Sequence, residues 1–258
     1  MKIRKHIPNL LTCANLVFGC YACIEALTGD YSGAMTAILI AAGFDFADGL
    51  AARLFRAYSA IGKDLDSLAD MVSFGVAPGM MLFDFLDRTQ KTLDWSHPFA
   101  GKVFLLAAFA VPVLSALRLA KFNNDNRQTS SFIGLPVPAH ALFWVSLIYC
   151  ISLLVEGNAV VGIFPQFISI RSPEVPSFYI LLFVLVTAMG SSLLLVSELS
   201  MFSLKIKSLK WKGNELCYIL LIAAVISIAG FGFGGIALTV LLYILMSIMN
   251  SKNRRSQL

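Results

Sequence analysis

GAMTAILIAAGFDFADGLAARLFRAYSAIGKDLDSLAD, residues 33–70, decides how this chain is read. From Gly33 to Phe44 it carries neither a charge nor a proline, which is the composition of a helix buried in a bilayer. The apolar run then leads directly into Asp45 and Asp48, and the next apolar run opens with Asp64, Asp66 and Asp70. One charged side chain at mid-membrane costs roughly 2.5–3.5 kcal/mol on the insertion scale. Several carboxylates together need a compensating partner.

The rest of the chain has the same apolar character. Of its 258 residues, 58% are hydrophobic and 14% charged, against roughly 45–50% and about 25% in soluble domains. Apolar runs near the ~20 residues of a bilayer span predict eight helices, over 10–27, 33–57, 64–86, 102–121, 136–155, 178–199, 216–231 and 234–250. The expected fold is therefore all-α: a polytopic membrane helix bundle of about eight transmembrane helices, forming a single domain over residues 1–258. The run after the basic start lacks a small-residue cleavage site and contains Asn15, so it reads as the first helix and not as a signal peptide. Gly230, Gly232, Gly234 and Gly235 allow a tight outer turn between two short helices, the alternative being a single bent hairpin that does not fully cross.

An even number of spans puts both termini on one side. Sixteen of the 20 Lys and Arg residues then fall on that side, leaving Arg88, Lys91, Lys102 and Arg171 on the other. The positive-inside rule places both termini and the aspartate cluster at the cytoplasmic face of a cell (inner) membrane. Anionic membrane lipid accounts for the net charge of +5, which needs no nucleic-acid partner. The five cysteines lie in apolar runs and read as small core residues, not as a disulfide framework.

Asp45 and Asp48 are spaced i, i+3, and Asp66 and Asp70 i, i+4, so each pair shares one helix face. Carboxylates so crowded repel one another unless a cation sits among them, and oxygen-only ligands suit Mg²⁺ or Mn²⁺. Gly49 removes a side chain where a ligand could approach the backbone, and Gly62 stands where the chain turns into the next helix. Arg53, four residues beyond Gly49, offers a planar fork suited to phosphate. The remaining polar residues have plainer readings: His140 as a hydrogen-bonded core histidine, Glu25 as hydrated near an outer helix end, and Trp95, Trp144 and Trp211 as interfacial or packing residues.

The pattern D-x2-D-G-x2-A-R-x8-G-x3-D-x3-D is met by Asp45, Asp48, Gly49, Ala52, Arg53, Gly62, Asp66 and Asp70. It resembles, without departure, the signature of the CDP-alcohol phosphotransferases. The resemblance implies that an alcohol attacks the β-phosphorus of a CDP-linked donor and that CMP leaves. It further implies that Asp45, Asp48, Asp66 and Asp70 hold the metal site, that Asp70 also serves as the base, and that Gly49, Arg53 and Ser59 contact the CDP group. Four further segments resemble the integral-membrane phosphatidylserine synthases within that family: IPNLLTCANL with Asn9, Thr12 and Asn15, then SLADMVSFGVAPG, ALRLAKFN and SFIGLPVPA. They imply CDP-diacylglycerol as donor and L-serine as acceptor, and the family suggests a homodimer. Arg118 and Lys121 read either as interfacial anchors or as a cationic wall for the serine carboxylate or donor phosphate, with Asn123 beside them. Glu198 could meet the serine ammonium, and Lys205 is a looser headgroup contact. The alternatives are another acceptor (glycerol 3-phosphate, an inositol derivative or choline) or, from a different class, an ion-coupled transporter. Against the transporter stand the absence of a visible repeat and the clustering of the aspartates toward one face.

Overall fold

The computed structural model of the chain describes residues 6–92, 98–125, 132–155, 177–202, 211 and 213–255. Trp95, Arg127, Arg171 and Lys205 lie outside the described residues. The fold is all-α and polytopic. Its helices are α1 (Ile7–Thr28), α2 (Tyr31–Phe55), α3 (Ala60–Asp70), α4 (Ala77–Thr92), α5 (Pro98–Leu106), α6 (Ala110–Asn124), α7 (Val137–Val155), α8 (Ser177–Val196), α9 (Glu215–Phe231) and α10 (Gly234–Arg255). Helices α3 and α4 run together through a π-helical stretch, Met71–Val76, and α5 and α6 through one 3₁₀ turn, Ala107–Phe109. Among the described residues six helices are long and apolar enough to cross a membrane, and α7 and α9 are shorter apolar helices. The eight runs expected from hydropathy correspond one to one with these spans.

Helix ends follow local chemistry. Pro8 stands in the first turn of α1, where its missing N–H costs nothing, and Gly29 at φ +84° closes the helix. Asp30 then caps α2, its side chain accepting from the Gly33 N–H at 2.8 Å. This two-residue link makes α1 and α2 the most extensively packed pair. The face α1 buries is a row of small or short side chains, Thr12, Asn15, Gly19, Ala22 and Ala26. Small residues let backbones approach closely in lipid, where hydrophobicity alone draws no helices together. Gly19 shows how closely: a Cβ there would lie 2.2 Å from Ser73 Oγ.

The π stretch has a local cause. Pro78 cannot donate a backbone hydrogen bond, and the Ala77 N–H reaches back five residues to the Val72 carbonyl. The expected span over 178–199 instead ends at Val196, because Ser200–Met201 (β2) pairs antiparallel with Phe132–Ile133 (β1). Gly134, at φ +77°, donates its N–H to the Leu199 carbonyl at 2.8 Å, so the connection before α7 is tied to the end of α8. Gly232, at φ +57°, makes the turn between α9 and α10.

The core is apolar, but so is much of the outer surface, and several polar groups are buried. Asn15, Asp48, Asp70, Ser73, Arg118 and His140 are buried, while Val17, Ile24, Leu54, Val186, Val225 and Met249 are exposed. The cysteines are free, as expected, but none is fully buried: Cys13 and Cys20 are exposed on α1. Cys23 and Cys217 pack against the core, as expected, whereas for Cys13 and Cys20 that reading is corrected, because in lipid the outward face of a helix is as apolar as the inward one. His140 does sit in the core, where its Nε2 and the Ser191 hydroxyl lie 3.1 Å apart and Trp144 Nε1 lies 3.1 Å from each. Trp211 is exposed and stacks on Tyr218.

Candidate active site

The acidic motif falls on two helices and the reversal between them. Arg56, at φ +51°, ends α2 in a left-handed turn, and Ser59, in extended conformation, caps α3 by accepting from the Gly62 N–H at 3.0 Å. A Cβ on Gly62 would stand 2.9 Å from that Ser59 oxygen and 3.1 Å from Asn9 Oδ1, so glycine lets the cap and α1 meet.

This reversal brings Asp66 back against Asp45 and Asp48. One carboxylate oxygen from each of the three lies within 4.8 Å of the others. Asp66 Oδ1 is buried without a hydrogen-bond partner. Among the described residues no Lys or Arg pairs with Asp45, Asp48, Asp66 or Asp70; the ion pairs found are Arg88 with Asp84 and Lys91 with Asp87. An all-oxygen set short of counter-charge, with an orphaned ligand atom, fits a hard divalent cation such as Mg²⁺ or Mn²⁺. Asp64 is exposed on α3 and takes no part in this cluster.

Asp70 stands apart from that triple, one turn further along α3 and buried at the start of the π stretch. Asn15 Nδ2 donates to its Oδ1 at 3.2 Å, and the Asn15 carbonyl accepts from the Ser73 hydroxyl at 3.0 Å. The Thr12 hydroxyl lies 2.6 Å from Asp48 Oδ2 and 3.0 Å from the Pro8 carbonyl, and its single proton serves one of them. The buried face of α1 thus steadies two of the four aspartates. From sequence, Asn15 and Thr12 stood out only through resemblance; neither link follows from spacing, because the partners are 55 and 36 residues apart.

A cleft of about 370 Å³ opens beside the cluster. Asn9, Thr12, Gly49, Arg53, Ser59 and Gly62 line it together with Asp48 and Asp66. A Cβ on Gly49 would meet nothing within 4 Å, so the backbone of α2 faces open space there. Arg53 Nε donates to the Gly49 carbonyl at 2.9 Å, which holds the guanidinium against the same wall.

Arg118 lines a different cavity. It is 6% exposed, with its guanidinium 4.7 Å from the Phe122 ring centroid. The space it borders, about 320 Å³, lies between the ends of α6 and α8 and β1, and Lys121 and Glu198 share it. Asn123 links α6 to α3: its Nδ2 donates to Ser67 Oγ at 2.8 Å and its carbonyl accepts from Lys63 Nζ at 3.0 Å. In the middle of α4, Asp84 is buried between the Tyr31 hydroxyl (2.9 Å) and Arg88 Nε (2.6 Å), a polar knot that hydropathy alone did not reveal.

Residues 5–189, more than half of the chain, match the family model for CDP-alcohol phosphatidyltransferase. The chain belongs to this family. Curated relatives named CDP-diacylglycerol–serine O-phosphatidyltransferase include one from Bacillus subtilis, 35% identical over 133 residues, covering 52% of this chain and 70% of the relative. One from Helicobacter pylori is 30% identical over 158 residues (58% and 61%), and one from Saccharomyces cerevisiae 33% over 178 residues (62% and 60%). The chain thus spans about three-fifths of the length of the last two. The phosphatidyltransferase match takes in every aspartate of the cluster and every residue named on the cleft wall, as well as Arg118; Glu198 lies beyond it.

Proposed function

We propose that the chain transfers the phosphatidyl group of CDP-diacylglycerol to the hydroxyl of L-serine, forming phosphatidylserine and releasing CMP. The observation that carries this reading is the convergence of Asp45, Asp48 and Asp66 beside an open cleft, in a chain whose curated relatives bear that activity in their names.

The chemistry follows from the residues. Gly49 presents bare backbone and Arg53 a guanidinium to the diphosphate of the donor, while Asn9, Thr12, Ser59 and Gly62 shape the wall that receives the cytidine nucleotide. Asp45, Asp48, Asp66 and Asp70 would hold the divalent ion, which when bound neutralises the diphosphate and raises the electrophilicity of its phosphorus. Asp70 takes the proton of the serine hydroxyl as that oxygen bonds to the β-phosphorus and the bond to the CMP oxygen breaks. Asn15 fixes Asp70 Oδ1, which leaves the other oxygen for the acceptor. On this reading catalysis runs at the cytoplasmic face of the cell membrane with both termini on that side, and the uneven distribution of Lys and Arg supports it.

Purified protein supplied with CDP-diacylglycerol, Mn²⁺ and labelled serine, glycerol 3-phosphate, inositol or choline tests the proposal. Phosphatidylserine and CMP are expected from serine. A lipid product from one of the other alcohols, with none from serine, overturns it.

A further inference from the structure

Helix α3 carries Asp66 and Asp70 on little apolar packing. Of its eleven residues it buries Ala69 and Asp70, whereas Ile61 and Leu68 are 74% and 64% exposed. It packs on α1 and on the π stretch. Asp66 meets Asp45 and Asp48 with carboxylate oxygens within 4.8 Å, and the repulsion among them drives α3 away from α2 unless something holds it.

Helix α6 supplies that hold. A Cβ on Gly79 would lie 2.8 Å from Pro112 Cδ, and one on Gly75 would lie 3.3 Å from Ser115 Cβ, so α6 lies tightly against the chain that leaves α3. Ser67 stands eight residues before Gly75, and Asn123 eight after Ser115, a distance of about 12 Å along a helix. The two therefore meet in the register of one antiparallel seam, and there the seam ends in hydrogen bonds. Asn123 Nδ2 donates to Ser67 Oγ at 2.8 Å, Ser67 Oγ donates to the Lys63 carbonyl at 3.2 Å, and Lys63 Nζ donates to the Asn123 carbonyl at 3.0 Å. These bonds close a ring. Because the Ser67 proton goes to Lys63, its oxygen is left to accept, and the Asn123 amide is the donor that completes it. Ser67 stands between Asp66 and Asp70, so the tie grips α3 between its two site carboxylates.

We infer that Asn123 and Ser67 are positioning residues: their hydrogen bond latches α3 to α6 and sets where Asp66 and Asp70 stand relative to Asp45 and Asp48. The inference rests on the metal-assisted transfer proposed above and adds the contact that keeps half of its ligands in place. Helix α6, packed on both the π stretch and α8, is the fixed member. Helix α3 is the member the latch restrains.

The test titrates full-length protein in phosphatidylcholine nanodiscs with Mn²⁺, reading the free ion by electron paramagnetic resonance, for the parent, Asn123→Ala, Ser67→Ala, the double variant and Ser67→Thr. Each alanine variant should bind Mn²⁺ about threefold to tenfold more weakly, the worth of one neutral hydrogen bond. The Mn²⁺ concentration for half-maximal phosphatidylserine formation should rise by the same factor. The double variant should match either single one within about twofold, because both remove the same bond. Ser67→Thr keeps the hydroxyl and should match the parent. Hydrogen exchange at residues 64–70 should quicken by a similar factor in the alanine variants, while exchange in α8 stays at the parent rate and shows the bundle intact. Parent-like Mn²⁺ affinity or parent-like exchange at 64–70 in both alanine variants overturns the latch, and so does a double variant whose losses multiply. A parent that binds Mn²⁺ and responds to the variants in this way, yet forms no phosphatidylserine, overturns the transfer reading and upholds the latch. A parent that binds no Mn²⁺ overturns both.

Discussion

Asp70 stands outside the triple in which Asp45, Asp48 and Asp66 converge on one another, and Asn15 donates to one of its oxygens. Substitution should separate the two roles. Asp70→Asn keeps the size and a ligating oxygen but cannot take a proton. It is expected to bind CDP-diacylglycerol within about tenfold of the parent while turnover falls by ~10²–10⁴-fold, the usual contribution of a general base; binding assays beside single-turnover kinetics read both. Near-normal turnover would remove Asp70 as the base. Asp66→Asn should instead abolish turnover together with Mn²⁺ binding, since Asp66 joins α3 to the two carboxylates of α2. Chelation by EDTA should reproduce that loss in the parent, and Mn²⁺ should reverse it; full activity in chelated, metal-free protein would refute the metal-assisted reading. Arg53→Ala should act mainly on the donor, raising its KM about tenfold or more through loss of a charge-assisted phosphate contact.

At the level of elements, the approach of α1 to the π stretch sets the geometry of the site. A Cβ on Gly19 would lie 2.2 Å from Ser73 Oγ and 2.8 Å from Ser73 Cα, so the backbone itself must yield. Gly19→Ala should therefore destabilise the fold by about 1–3 kcal/mol, as overpacking does, and lower activity by shifting Asn15 away from Asp70. A thermal midpoint and activity unchanged from the parent would show that α1 and the π stretch can separate freely. Hydropathy disclosed every span found among the described residues, because a bilayer demands ~20 apolar residues wherever a helix crosses it. It could not disclose Met71–Val76 as a π stretch, since that segment is as apolar as its neighbours and an extra residue per turn leaves the average untouched. Nor could it tell which face of α1 turns inward, and hence that Cys13 and Cys20 point out. The four aspartates were legible because carboxylates are costly in lipid and their spacing is helical. Their supports were not: Thr12 and Asn15 reach them from another helix, and Asp84 finds Tyr31 across 53 residues.

For the whole molecule, the uneven distribution of basic residues makes a prediction about sidedness. In a cysteine-free background, Ala60→Cys, exposed at the start of α3, should react with an impermeant thiol reagent only from the cytoplasmic side, and Lys91→Cys, exposed near the end of α4, only from the other. The opposite pattern would invert the orientation. The outer surface of α2 has a further consequence. Phe46, Leu50 and Leu54, at 68%, 52% and 73% exposure, form one apolar row on the helix whose other side carries Asp48 into the cleft. On the proposed transfer, a lipid donor would reach the cleft by sliding sideways, its acyl chains remaining among those of its neighbours. What such an enzyme senses is the fraction of surrounding lipid molecules that are donor, a two-dimensional quantity that bulk molarity does not report. Diluting CDP-diacylglycerol with inert lipid at constant total amount should slow the reaction in proportion, and doubling the volume at constant serine and Mn²⁺ concentrations should leave it unchanged.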